Sequence, residues 1–125
     1  MAIPADQQAH RDAFGRAFSA WMRINSWSQQ NIHDAAADLS LQGPYNSQTS
    51  LLQRARLDPK PQFFVSLGQF NAAIEAQDLA AITRRSLKDR MTDAQPFITA
   101  DDRIATAVDF FAMFIGAQPI NQLYV

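Results

Sequence analysis

A chain of 125 residues, 47% of them hydrophobic, can build one modest core and is read as a single domain. With no cysteine it cannot form disulfides, thiolate metal sites or a cysteine nucleophile. It also lacks the run of about eighteen apolar residues that a membrane-spanning helix needs, so no membrane partner is expected. A net charge of -1 argues against a protein that coats nucleic acid, but the charge is unevenly spread. Residues 1–45 carry -1, residues 46–90 carry +3 and residues 91–125 carry -3. Thirteen Gln stand against a single Glu, so many polar positions are neutral hydrogen-bonding groups that do not repel phosphate. Met1 to Asp6 has neither the basic region nor the apolar stretch of a secretion signal, and the expected location is the cytoplasm.

In chain order, Asp6 is placed to cap a helix running to about Arg23, with Phe14, Phe18, Trp21 and Met22 as its buried stripe, Gly15 as a close contact and Asn25-Ser26 as its stop. Ser28 then caps a second helix, whose Ile32, Ala35, Ala36 and Leu39 recur at three- and four-residue steps. An irregular Gln42-Gly43-Pro44-Tyr45 connection leads to a third helix, capped by Asn46, that opens with Ser47, Gln48 and Thr49 and turns Leu52 inward. Pro59 and Pro61 break the chain, and Pro61 can start a further helix with Phe63, Phe64, Leu67 and Phe70 buried. Asn71 is expected to cap a turn or helix holding Ile74, Leu79 and Ile82. Arg84 to Arg90 is a basic cluster on a helix, read as a solvated face with local pairing to Asp in preference to a phosphate contact. Thr99, with Asp102 three residues on, is expected to cap a last helix ending at Gly116, whose stripe is Ile104, Val108, Phe111 and Ile115. A tail with Pro119, Ile120, Leu123 and Tyr124 either packs back or crosses a partner subunit. No alternating strand pattern occurs, and the expected fold is all-α with five to six helices.

Two helices joined by a turn, the second opening with amides and hydroxyls, describe a helix-turn-helix unit. Ser28-Gln29-x-x-Ile32, then Ser50-x-Leu52-Gln53, then Pro59 resembles the lambda-repressor-like helix-turn-helix family, also called the Cro/C1-type or XRE family. The resemblance covers about Trp21 to Ile74. His33, Gln53 and Ala55 depart from the usual small residue, Glu and Gly, and the longer step from Gln29 to Asn46 makes the turn a real loop. The resemblance implies sequence-specific binding of double-stranded DNA by about residues 1–74; about 75–125 are expected to form a helical extension whose last helix, with its wide apolar face of Ile104, Val108, Phe111, Phe114 and Ile115, assists homodimerisation. It places Asn46, Ser47 and Gln48 at the opening of the recognition helix, Leu51 one turn later and Gln29 on a phosphate.

The side-chain chemistry fits that implication. Amide and hydroxyl side chains can read base edges, and Leu51 can meet a thymine methyl. Arg54, Arg56 and Lys60 can hold phosphates without reading sequence. An enzyme is the class least expected: His10 and His33 are the only histidines, no glycine-rich phosphate loop or Gly-x-Ser-x-Gly elbow occurs, and neither a metal nor a cofactor is called for. His33, Asp34 and Asp38 are read as structural. The alternative function is a helix-turn-helix-like module that binds a protein through Leu51 and the loops carrying Trp27 and Tyr45, without DNA.

Overall fold

Apolar residues at helical spacing organise the chain into α1 (Ala5–Ile24), α2 (Gln29–Asp38), α3 (Pro61–Ala76), α4 (Arg85–Met91) and α5 (Ala107–Phe114), followed by a 3-10 turn at Gln122–Tyr124. The structure, a computed structural model, describes residues 5–41 and 61–125. Among the described residues the only extended pairing is one antiparallel bridge between Ile98 and Ile104, so the all-α expectation holds, with five of the expected five to six helices among those residues. No helix among them is long and apolar enough to cross a membrane.

Four of the five described helices, all but α4, stop by a shared device. Ser26, Ser40, Gln77 and Gly116 each take a positive φ, between 55° and 81°. The next residue's N–H then reaches back five residues, as in Trp27 N to Met22 O at 2.9 Å and Ala117 N to Ala112 O at 2.8 Å. This left-handed closure satisfies carbonyls that the helix end would otherwise orphan. The stop expected at Asn25-Ser26 is of this kind, and Asn25 also exchanges hydrogen bonds with the backbone of Gln95.

The core is aromatic. Trp21 is fully buried and meets Phe18, Trp27, Phe70 and Phe97 edge-on with ring centres 5.2–6.1 Å apart, while its indole N–H donates to Gln95 O. Burying such a ring stabilises by roughly 1.5–3 kcal/mol, and the N–H keeps a partner, so the burial is not offset by a stranded donor. α3 buries Phe63, Phe64, Leu67 and Phe70 as expected. Its most extensive contact is with α5, where Gly68 lies against the backbone of Ala107. Gly15, the expected close contact, is buried in α1.

Three expectations are corrected. Asn71 does not cap a helix: it lies inside α3, fully buried, and joins two distant strands of loop. Its Nδ2 donates to Phe97 O and Ala105 O, both at 2.9 Å, and its Oδ1 accepts from Phe97 N at 2.7 Å. Thr99 does not start the last helix, because residues 97–105 fold into a small hairpin closed by Thr99 N to Arg103 O and Ala105 N to Phe97 O. Asp102 turns that hairpin with φ 63°. The helix begins seven residues later, where Thr106 and Asp109 form the capping box. The starting point sets which face turns inward. Phe110, Met113 and Phe114 are buried against Phe14 and Phe64, and the expected stripe of Val108, Phe111 and Ile115 faces solvent.

The tail packs back onto the fold. Tyr124 stacks on Phe97 at 4.1 Å and its hydroxyl accepts from Ile98 N, while Asn121 donates to Thr99 O.

Candidate nucleic-acid interface

The start of α2 is built as the sequence predicts. Ser28 Oγ accepts from Asn31 N at 3.1 Å, and Asn31 Oδ1 accepts from Ser28 N at 2.8 Å, a reciprocal capping box. Gln29, half-buried, is therefore the first residue of a helix whose positive dipole end favours anions. The inner face buries Ile32, Ala35 and Ala36, with Leu39 partly buried beside them.

Helix α4 fixes the direction of α2 by clamping it at both ends. Before α2, Trp27 Nε1 donates to Arg90 O at 3.0 Å and Arg90 returns a hydrogen bond to Ser26 O at 2.7 Å. Toward the far end, the Arg84 guanidinium reaches both carboxylate oxygens of Asp38 at 3.2 Å and Asp34 at 3.6 Å. The basic cluster stays solvated, as expected, but the pairing of Arg84 is not local, because its Asp partners lie on another helix. Arg85 and Lys88 stay exposed. Trp27 is buried, so a partner cannot use it as a surface contact.

Of the expected DNA-contacting residues only Gln29 falls among those described. Asn46, Ser47, Gln48, Leu51, Arg54, Arg56 and Lys60, with the loop residue Tyr45, lie outside them. His33 is half-buried on α2, and no cluster of three metal-ligating side chains occurs among the described residues.

A second charged group lies at the 97–105 hairpin. Arg103 Nε donates to Asp101 at 2.8 Å and its other nitrogens reach Asp109. Hydrogen bonds from Arg103 and Thr99 lower the Asp101 carboxyl from 3.8 to about 2. Burial pushes Asp109 up, but hydrogen bonds from the Thr106 backbone, Arg103, the Thr106 hydroxyl and Gln118 outweigh it and bring it below the ordinary range. Paired to two carboxylates, Arg103 is a hairpin tie and is not placed to serve a phosphate.

Across the molecule the outer face of α5 and the start of α3 form an apolar groove of about 300 Å³, lined by Pro61, Phe64, Val65, Ala107, Val108 and Phe111. Val108 is 76% exposed, Phe111 48%, Ile115 45% and Val65 40%. Scattered apolar residues need no explanation, but these form a contiguous set with almost no polar lining.

Compared with known proteins, the chain matches the model of a domain of unknown function over residues 5–116. No curated protein and no solved structure matches it.

Proposed function

We propose that this chain, which belongs to the DUF8644 family of domains of unknown function, is a sequence-specific DNA-binding regulator that acts as a homodimer. The observation that carries the reading is the start of α2: a capped helix that opens with Gln29 and is held from both ends by α4. A rigidly held first helix is what a helix-turn-helix unit needs to set its partner helix in a groove. The chain that follows carries Asn46, Ser47 and Gln48 for base edges, and then Arg54, Arg56 and Lys60 for phosphates. Leu51 meets a thymine methyl in this reading, and Gln29 holds a phosphate. The second copy sits on the apolar face of Val65, Val108 and Phe111, where a two-fold contact sets each exposed side chain beside the same groove on its partner. Such a dimer presents two reading units to paired half-sites.

The test is a binding titration on duplexes selected from a random pool and on scrambled controls, at several salt concentrations. Gln48→Ala should cost about 1–3 kcal/mol on the selected site and little on the scrambled one. Arg54→Ala and Arg56→Ala should weaken both alike and reduce the salt slope by about one unit each. Sedimentation should show a dimer that Phe111→Asp dissociates. If all three DNA-directed substitutions are silent, the chain is a helical protein-interaction module instead. The apolar α3–α5 face is the observation that favours that second reading.

A further inference from the structure

A large cavity lies away from both surfaces, between α1 and the segment that follows α5. It is a cleft of about 890 Å³, within the size range of small-molecule sites. His10, Arg16 and Arg23 line it from α1, Gln118 lines it from the opposite wall, and Pro119 and Ile120 supply apolar surface. No Asp or Glu lines it. Among the described residues neither Arg16 nor Arg23 has a carboxylate in ion-pair range, unlike Arg84 and Arg103. The two arginines are seven residues apart, so their stems leave nearly the same side of α1 about 10 Å from each other. Arg11 is differently used, its guanidinium 4.9 Å from the centre of the Phe114 ring. The His10 imidazole lies over Gly116, where a side-chain methyl would collide with it.

We propose that this cleft binds a small organic anion with an apolar body, its carboxylate or phosphate held by Arg16 and Arg23 and its body against Pro119 and Ile120. Two cations beside an apolar wall, with no Asp or Glu side chain in the lining, select an amphipathic anion over a neutral or cationic molecule. The inference stands independently of DNA binding.

The experiment is a titration of the isotopically labelled full chain with octanoate, octyl phosphate and octanol, followed by amide shifts. Both anions should move residues 10–23 and 116–125, and octanol should bind at least tenfold more weakly. Arg16→Gln and Arg23→Gln should each weaken the anions about tenfold and leave octanol unchanged. The tighter of the two anions identifies carboxylate or phosphate as the preferred group. Half-molar sodium chloride on the unaltered protein should weaken the anions alone, which tests the charge contribution without any substitution. Octanol binding as tightly as octanoate, shifts confined to residues 61–65 and 107–111, anion affinities indifferent to both substitutions and to salt, or no shift at millimolar ligand would each overturn the proposal.

Discussion

Asn71 and Arg84 perform one task, tying together segments far apart in sequence, on opposite sides of the boundary with water. Asn71 is fully buried and reaches the backbone of residues 26 and 34 positions away. The Arg84 side chain is 54% exposed and reaches Asp38, 46 positions away, with comparable bond lengths. Distance and sequence separation therefore do not rank them. What ranks them is the state each partner reaches when the bond is lost: the Arg84 and Asp38 groups return to water, whereas a carbonyl beside Asn71 is left in an apolar core.

The largest effect is therefore expected at Asn71. Asn71→Leu keeps the branched shape of the side chain and removes all three hydrogen bonds. Phe97 O keeps the N–H of Ala105, but Phe97 N and Ala105 O lose the partner that Asn71 supplied. At about 1–3 kcal/mol for each unsatisfied buried group, the loss should be about 3 kcal/mol in urea denaturation. A loss under about 1 kcal/mol would mean that the hairpin re-forms its bonds without Asn71, and the comparison with Arg84 would collapse.

Next is Gly68→Ala. An added Cβ would come within 2.6 Å of the Ala107 backbone nitrogen, and backbone does not give way as a flexible side chain does. α3 and α5 must separate, at a cost of about 1–3 kcal/mol typical of overpacking. The same movement widens the groove at Phe64 and Phe111, so dimer affinity should fall with stability. Unchanged melting would show that the α3–α5 approach is looser than described.

The contrast also explains which parts of the fold were legible in the sequence. Ser28 and Asn31 cap α2 where a polar N-terminus meets one unambiguous stripe of Ile32, Ala35 and Ala36. At the last helix the sequence offers Thr-x-x-Asp twice, at Thr99-Asp102 and again at Thr106-Asp109. Local pattern cannot choose between them. Tertiary structure does, because Asn71 holds residues 97 and 105 in the hairpin and Gly68 admits the backbone at Ala107. The choice of cap then decides the phase of α5, since Ile104-Val108-Phe111-Ile115 and Phe110-Met113-Phe114 both have helical spacing. Of the candidate site, the start of α2 was legible and Gln29 stands where expected, but the Arg84 and Arg90 clamp was not. A long-range ion pair leaves no periodic trace.

A smaller effect is expected in acid. Asp101 is held down to about 2 from 3.8 by Arg103 and Thr99. A carboxyl depressed in the folded state contributes stability above its unfolded value, and that contribution is lost as pH falls toward its folded value. The denaturation midpoint should therefore decline between pH about 4 and 2, and Asp101→Asn should remove part of that slope by lowering the midpoint at pH 7 toward its acid value. Asp109, lowered in the same direction, adds to the slope in the Asp101→Asn protein. A midpoint independent of pH across this window would show that neither carboxylate is stabilised by the hairpin.

The smallest effect is expected at Arg84, whose geometry is good and whose setting is wet. Its guanidinium meets two carboxylates, but Arg84 is half-exposed, and such pairs typically contribute about 0.2–1 kcal/mol that salt screens. Arg84→Ala should therefore cost under about 1 kcal/mol, and the difference should shrink further in 0.5 M salt. Removing it also leaves Asp34 and Asp38 unopposed on the helix proposed to approach DNA, so nonspecific DNA affinity should fall even where stability does not. That separates the two uses of one side chain: a clamp is read in denaturation, a local neutraliser in DNA affinity. If Arg84→Ala proved as costly as Asn71→Leu, the α2–α4 clamp would be acting as part of the core despite its exposure. The Trp27 indole bond to Arg90 would then be the next group to test, because it closes the buried end of that clamp.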